Sequence, residues 1–223
     1  GDGVMTFNTP LSVYNRGNVT GAFTGVSNEN SDAGKGTMIF TSSLSVENTG
    51  SAGEFTGINN VLSDTGNVME IQDALTVTEK GTVGKMVGVN NAGVGLTFGS
   101  TVTITGGGAD FTGIYNTGDL TTPGLVKISH SATEGTEITG IYNNGTFLLN
   151  GGAEISFTGA YSGSEVSIYG INNSGTFTIG DETVRSNVTV SGTFSGHMEQ
   201  IPGEGGEVEA EYWVSAPVYF TGV

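Results

Sequence analysis

The stretch FTGIYN at 111–116 reads apolar-x-Gly-apolar-x-Asn, and the phrase returns as ITGIYN at 138–143 and IYGINN at 168–173. Upstream it stands as FTGVSN at 23–28, FTGINN at 55–60 and MVGVNN at 86–91. Self-similarity at a period near 30 residues is the signature of a repeat architecture. The repeat glycines are Gly25, Gly57, Gly88, Gly113, Gly140 and Gly170, spaced by 32, 31, 25, 27 and 30 residues, a drift that points to insertions in turns. A seventh, decayed copy surrounds Gly196: it keeps Phe194 but carries His197 and Glu199 where the others have an aliphatic residue and Asn.

Between copies the apolar residues alternate with polar ones. Phe147 and Leu149 precede Ile155 and Phe157; Phe177 and Ile179 precede Val188 and Val190; Leu96 and Phe98 precede Val102 and Ile104; Ile71 precedes Leu75 and Val77. Period-2 alternation of this kind specifies half-buried strands, and no 3.6-residue period is long enough to specify a helix. Each unit therefore holds three short strands separated by Gly, Asn, Asp or Ser turns. Such a triplet cannot bury its apolar side alone, whereas triplets stacked in register make a continuous core. The expected fold is all-β: a right-handed single-stranded parallel β-helix, or β-solenoid, of about seven coils with three short strands per coil. Right-handed winding follows from the near-universal handedness of crossovers between parallel strands. At about 4.8 Å per coil the repeat region would be roughly 35 Å long. Residues 1–22 read as an N-terminal cap or partial first coil, 23–198 as the β-helix repeats and 199–223 as an acidic capping segment.

The columns of the repeat have separate tasks. Phe23, Phe55, Met86, Phe111, Ile138, Ile168 and Phe194 stand two residues before the glycine and are assigned to the interior, where truncation to Ala costs about 2–5 kcal/mol. Strict alternation would turn the following Ile or Val outward, so a bend at Gly is needed, through positive φ or through close approach to a neighbouring coil. Asn28, Asn60, Asn91, Asn116, Asn143 and Asn173 close each copy, where an amide can bond the backbone or the next coil's Asn. The expectation is an amide ladder along one corner. Gly93, Gly118, Gly145 and Gly175 follow the later asparagines by two residues and imply tight turns, whereas longer loops should project after Asn28 and Asn60.

These stacked Asn corners, three-strand coils and the lack of Cys resemble right-handed parallel β-helix proteins, especially bacterial autotransporter passengers and related surface adhesins, over residues 23–196. The resemblance implies secretion or display on a bacterial cell surface, with contacts made by lateral faces and projecting loops, and it transfers no functional residue. The chain shows no leader sequence, membrane-barrel segment or protease triad, so under this resemblance it is expected to be a fragment of a longer passenger.

Composition supports this frame. Gly contributes 39 of 223 residues, which demands frequent turns, while the Val, Ile, Phe and Thr between them argue against disorder. Six basic against 22 acidic side chains give a formal net charge of -16, which repels phosphate backbones and anionic membranes and opposes self-association. Nucleic acid is excluded as a partner, and no apolar run is long enough for membrane insertion by this segment.

The search for chemistry yields little. Asp181, Glu182 and Arg185 cluster in a segment best read as a solvated turn. GGGAD, ending at Asp110, reads as a corner loop, because calcium solenoids repeat such a turn and this chain shows it once. His130 and His197 fall in different coils without carboxylates at ligand spacing, so neither a metal nor a nucleophile role is expected. Glu199, Glu204, Glu207, Glu209 and Glu211 suit an amphipathic capping strand that discourages end-to-end stacking, with calcium binding as the sharper alternative. Tyr115 and Tyr142 occupy one column in adjacent coils, where their rings can stack about 5 Å apart, and Tyr14 is expected to extend the row. Facing solvent, they would be glycan contacts; facing inward, they would be core; both readings stand open here.

No catalytic residue, cofactor or metal site is assigned. The expected function is a non-enzymatic extracellular or cell-surface module acting as adhesin, stalk or scaffold, with a glycan or host-surface ligand as partner. The alternative is a polysaccharide lyase- or hydrolase-like enzyme on the same scaffold.

Overall fold

A computed structural model describes residues 3–30, 36–62, 68–131, 137–159, 167–180, 186–194, 198–202 and 208–213. The chain is a parallel β-solenoid with three strands per coil and no helix among these residues. Face one stacks Gly3–Phe7, Gly36–Phe40, Val68–Ile71, Leu96–Phe98, Asp119–Thr122, Thr146–Leu149 and Thr176–Ile179. Face two stacks Leu11–Asn15, Leu44–Asn48, Leu75–Glu79, Val102–Gly106, Val126–Ser131, Ala153–Gly159 and Val188–Phe194. Face three stacks Asn18–Asn30, Ser51–Leu62, Thr82–Asn91, Asp110–Asn116, Glu137–Asn143 and Ser167–Asn173. The described residues complete six coils and two strands of a seventh, slightly below the expected count.

Every neighbouring pair within these faces is parallel and in register. Asn116 pairs with Asn143 and with Asn91, and the interior column runs Phe23, Phe55, Met86, Phe111, Ile138, Ile168. Phe55, Met86, Phe111, Ile138 and Ile168 are fully buried, while Phe23 in the first coil is half-buried. The first coil starts at Gly3–Phe7, whose Phe7 ring stacks on Phe40 at 4.7 Å, so residues ahead of the first motif copy already belong to the stack. Phe194 does not join the interior column. It pairs with Gly159 at the end of the last described strand of face two. Gly196 and His197 lie outside the described residues.

The bend at the repeat glycine comes from close approach. A Cβ on Gly113 would stand 2.6 Å from the Gly140 carbonyl oxygen and 2.8 Å from Ile128 Cγ2. Positive φ occurs instead at Gly95, Gly152 and Gly180, outside that column. The face-two residues that occupy the space are β-branched in every coil: Val46, Val77, Ile104, Ile128, Ile155 and Val190 press on Gly25, Gly57, Gly88, Gly113, Gly140 and Gly170 respectively. Glycine is thus the partner that a β-branched column on another face requires.

The asparagine ladder is present. Asn60 Nδ2 donates to Asn91 Oδ1 at 2.8 Å, Asn91 to Asn116 at 2.7 Å, Asn116 to Asn143 at 2.6 Å and Asn143 to Asn173 at 2.7 Å. Asn28 donates to Asn60 at 3.4 Å, a looser end of the chain of amides. The second amide hydrogens reach backbone carbonyls, as from Asn116 to Gly118 at 3.0 Å, so these wholly buried groups are satisfied.

The change in repeat spacing is only partly a matter of turns. Face-three strands have 13, 12 and 10 residues in the first three coils and 7 in each of the next three. The drop to 25 residues between Gly88 and Gly113 therefore falls where the strand shortens, leaving a step after the third coil. The expected projecting loops after Asn28 and Asn60 fall on 31–35 and 63–67, outside the described residues. The acidic C-terminal stretch contributes Met198–Pro202 and Val208–Trp213, which pair antiparallel with each other as a separate two-stranded sheet.

Candidate functional site

Face three carries three columns of side chains beside its interior ones, outward-facing except where Thr139 in the second is buried. The first, three residues before each repeat glycine, reads Ala22, Glu54, Lys85, Asp110, Glu137, Ser167, with each pair in register. The second, directly before the glycine, reads Thr24, Thr56, Val87, Thr112, Thr139, Tyr169. The third, directly before the ladder Asn, reads Ser27, Asn59, Asn90, Tyr115, Tyr142, Asn172. The bend at glycine separates the second column from the third.

A cleft of about 540 Å³ opens over this face. Glu54, Lys85, Asp110 and Glu137 form one wall, so three carboxylates and one ammonium group line up over four successive coils. The floor is Thr56, Val87 and Thr112, and the opposite wall is Asn90 and Tyr115. The Tyr115 and Tyr142 rings stack at 4.8 Å with 6° between their planes. Tyr115 is 37% exposed, so the pair lies outside the core. One face of Tyr115 is taken by Tyr142, and the other looks toward the Asn90 coil.

Below the tyrosines the third column continues as an outer amide row: Asn90 Nδ2 donates to Asn59 Oδ1 at 2.7 Å, and Asn59 donates to Ser27 Oγ at 3.1 Å and to the Glu29 carboxylate. Tyr14 does not extend the tyrosine row. It sits on face two, in register with Glu47, with the Arg16 guanidinium 4.9 Å from its ring centroid.

A second cleft, of about 450 Å³, marks the step after the third coil. Glu79 and the glycines Gly106, Gly107 and Gly108 line it. The Gly107 amide donates to Glu79 Oε2 at 3.1 Å, while the buried Oε1 has no partner among the described residues. Burial pushes the Glu79 carboxyl above its usual value, only partly offset by the bonds from Gly107, Gly81 and Asn48. Glu79 stands in register above Asn48, which accepts from Asn15 Nδ2 at 2.7 Å: a second, shorter corner ladder. His130 lies on the same corner, wholly buried, with Nε2 donating to the Gly108 carbonyl at 3.1 Å and its ring 4.7 Å from Phe111. Burial lowers its pKa below the usual imidazole value, the bond to Gly108 opposing this. Its surroundings make it a packed core residue.

Asp110 begins the fourth face-three strand directly after the Gly106–Gly108 corner, and its side chain belongs to the cleft wall. Among the described residues no three acidic or histidine side chains gather around a common point where a metal could sit. Asp181, Glu182, Arg185, Glu204 and Glu207 lie outside the described residues, and Glu199, Glu209 and Glu211 are placed only as members of the terminal hairpin. The carboxylate wall was missed by motif reading because its members differ in identity. The signal was available: reading the residue three before each repeat glycine yields Glu54, Lys85, Asp110 and Glu137 in order. No protein family, curated protein or solved structure matches this chain.

Proposed function

We propose that this chain is a non-enzymatic extracellular β-solenoid module of a bacterial surface, an adhesin, stalk or scaffold, that holds a glycan in the face-three cleft. One observation carries the reading: Tyr115, stacked on Tyr142 outside the core, stands at the wall of a cleft beside hydroxyl, amide and carboxylate side chains. An aromatic face with a few convergent polar groups suits a sugar, which has apolar C–H faces and a hydroxyl rim. Backbone columns in register hold these groups in place before any ligand arrives, which lowers the ordering cost of binding. The test is a glycan array followed by titration of the hits. Tyr115→Ala should weaken binding by about ten-fold or more, as expected for loss of roughly 1.4 kcal/mol of contact. Absence of binding to any glycan removes the reading.

A polysaccharide-active enzyme is the second reading, favoured by Asp110 and Glu137 on adjacent coils. Their backbones stand about 4.8 Å apart, near the separation of a retaining carboxylate pair. Glu137 is exposed to solvent, however, and none of the described residues closes over the pair to exclude water. Oligosaccharide products detected by mass spectrometry, and lost in Glu137→Gln, would favour this second reading.

A further inference from the structure

We infer that the cleft accepts a sugar ring bearing a free amino group, seated as the next rung on the Tyr142–Tyr115 stack with its ammonium group against the Glu54–Glu137 wall. This inference rests on the glycan reading above and narrows it to a ligand class.

The position follows from the stack. Tyr142 covers one face of Tyr115 at 4.8 Å and does not itself line the cleft, whereas Tyr115 and Asn90 do. The open face of Tyr115 therefore looks along the solenoid axis toward the coil of Asn90, Val87 and Lys85, with which its own coil is in register. A flat-faced ring placed there continues the stack over Asn90 in the way that Tyr115 continues it from Tyr142. Asn90 cannot do so, because its amide is drawn the other way: Nδ2 is committed to Asn59 Oδ1 at 2.7 Å.

The carboxylates set the polarity. Asn90 gives one amide hydrogen to Asn59 Oδ1, which leaves its second hydrogen and its carbonyl oxygen for a ligand. Across the floor, Glu54, Asp110 and Glu137 present carboxylates, which accept only, against the single ammonium group of Lys85. Thr56 and Thr112 hydroxyls adapt to either role. A cleft so rich in acceptors is complementary to a donor-rich, positively charged ring. A primary ammonium supplies three donors and its charge, whereas an N-acetylated ring brings one amide hydrogen and no charge, and a uronate adds a like charge that the wall repels.

The test titrates the full chain, at pH 6 and low salt, with three disaccharide probes: the glucosamine dimer, its di-N-acetylated counterpart and digalacturonate. The glucosamine dimer is expected to bind about ten-fold more tightly than the acetylated dimer, with digalacturonate weakest. In Asp110→Asn/Glu137→Gln the preference should shrink to within about three-fold, while Tyr115→Ala should weaken both hexosamine dimers alike. Thr112→Arg, which fills the floor and leaves the stack intact, provides a second blocking variant, and thermal unfolding establishes that each variant is folded. Equal affinity for the two hexosamine dimers would overturn the inference, as would a preference that survives the double substitution and so reflects only the net charge of the chain. If a neutral glycan binds through Tyr115 with no amine preference, the glycan reading stands and this inference falls. If no glycan binds at all, both fall.

Discussion

Glu79 shows how one residue can run against the pattern of its column. It occupies a corner position held by Asn15 and Asn48 in the coils before it, and its buried Oε1 lacks a partner among the described residues. Burial raises its pKa above 4.5, so the native state holds the proton more tightly than the unfolded chain does. Its contribution to stability is therefore full below pH 4.5 and is lost as pH rises through the raised native value. Glu79→Gln should be more stable than the parent at neutral pH, and urea unfolding at a series of pH values should show the difference vanish toward pH 4. Thr122 is a second misfit: its wholly buried hydroxyl finds no partner among the described residues, in a face-one column with Ile71, Phe98 and Leu149. Thr122→Val keeps the shape and removes the orphan group, and is expected to stabilise by about 1 kcal/mol in the same assay.

At the scale of the strand, stability comes from columns whose members support one another. Asn116 illustrates this: it accepts from Asn91 and donates to Asn143, Gly118 and Thr146 from a fully buried position. Asn116→Ala would leave the Asn143 oxygen and part of the Asn91 amide without partners, and should cost at least about 2 kcal/mol by chemical denaturation. Asn28, at the looser end with a 3.4 Å bond, should cost clearly less. The repeat glycines belong to the same scale, because their need arises from the β-branched residue on another face. Replacing Gly113 therefore perturbs face two and face three together.

For the molecule as a whole, contacts run almost entirely between successive coils, so the solenoid is close to a one-dimensional stack. Such a stack opens from its ends, where each coil has a neighbour on one side only. The half-burial of Phe23 and Val26 against complete burial of Phe55 and Ile58 shows this at the first coil. Amide hydrogen exchange should be slowest for the strands around Phe55, Met86 and Phe111 and rise toward Gly3–Phe7 and Thr176–Ile179. Uniform protection along the axis would contradict a stack with independent coil interfaces. The cleft lies over the second to fifth coils, on the part of the stack expected to open least, which suits a preformed binding surface.

The sequence alone determined the parallel stack, the interior Phe, Met and Ile column and the asparagine corner. Like residues recur about every thirty positions, and a solenoid places positions one coil apart directly over each other. Three-dimensional register decided the rest. The wall of Glu54, Lys85, Asp110 and Glu137 is built from unlike residues, so its column shows only when positions are counted back from each repeat glycine, and that they line one cleft is a matter of the fold. Tyr14 resembles the other tyrosines before Asn but belongs to a different face, and Phe194 ends face two although it carries the motif's spacing. The cause of the glycine bend was likewise settled by tertiary contact, since a Cβ at Gly113 is excluded by the Gly140 carbonyl one coil on and by Ile128, fifteen positions away and on another sheet. Local pattern specifies which residues repeat; only the closed coil specifies which of them meet.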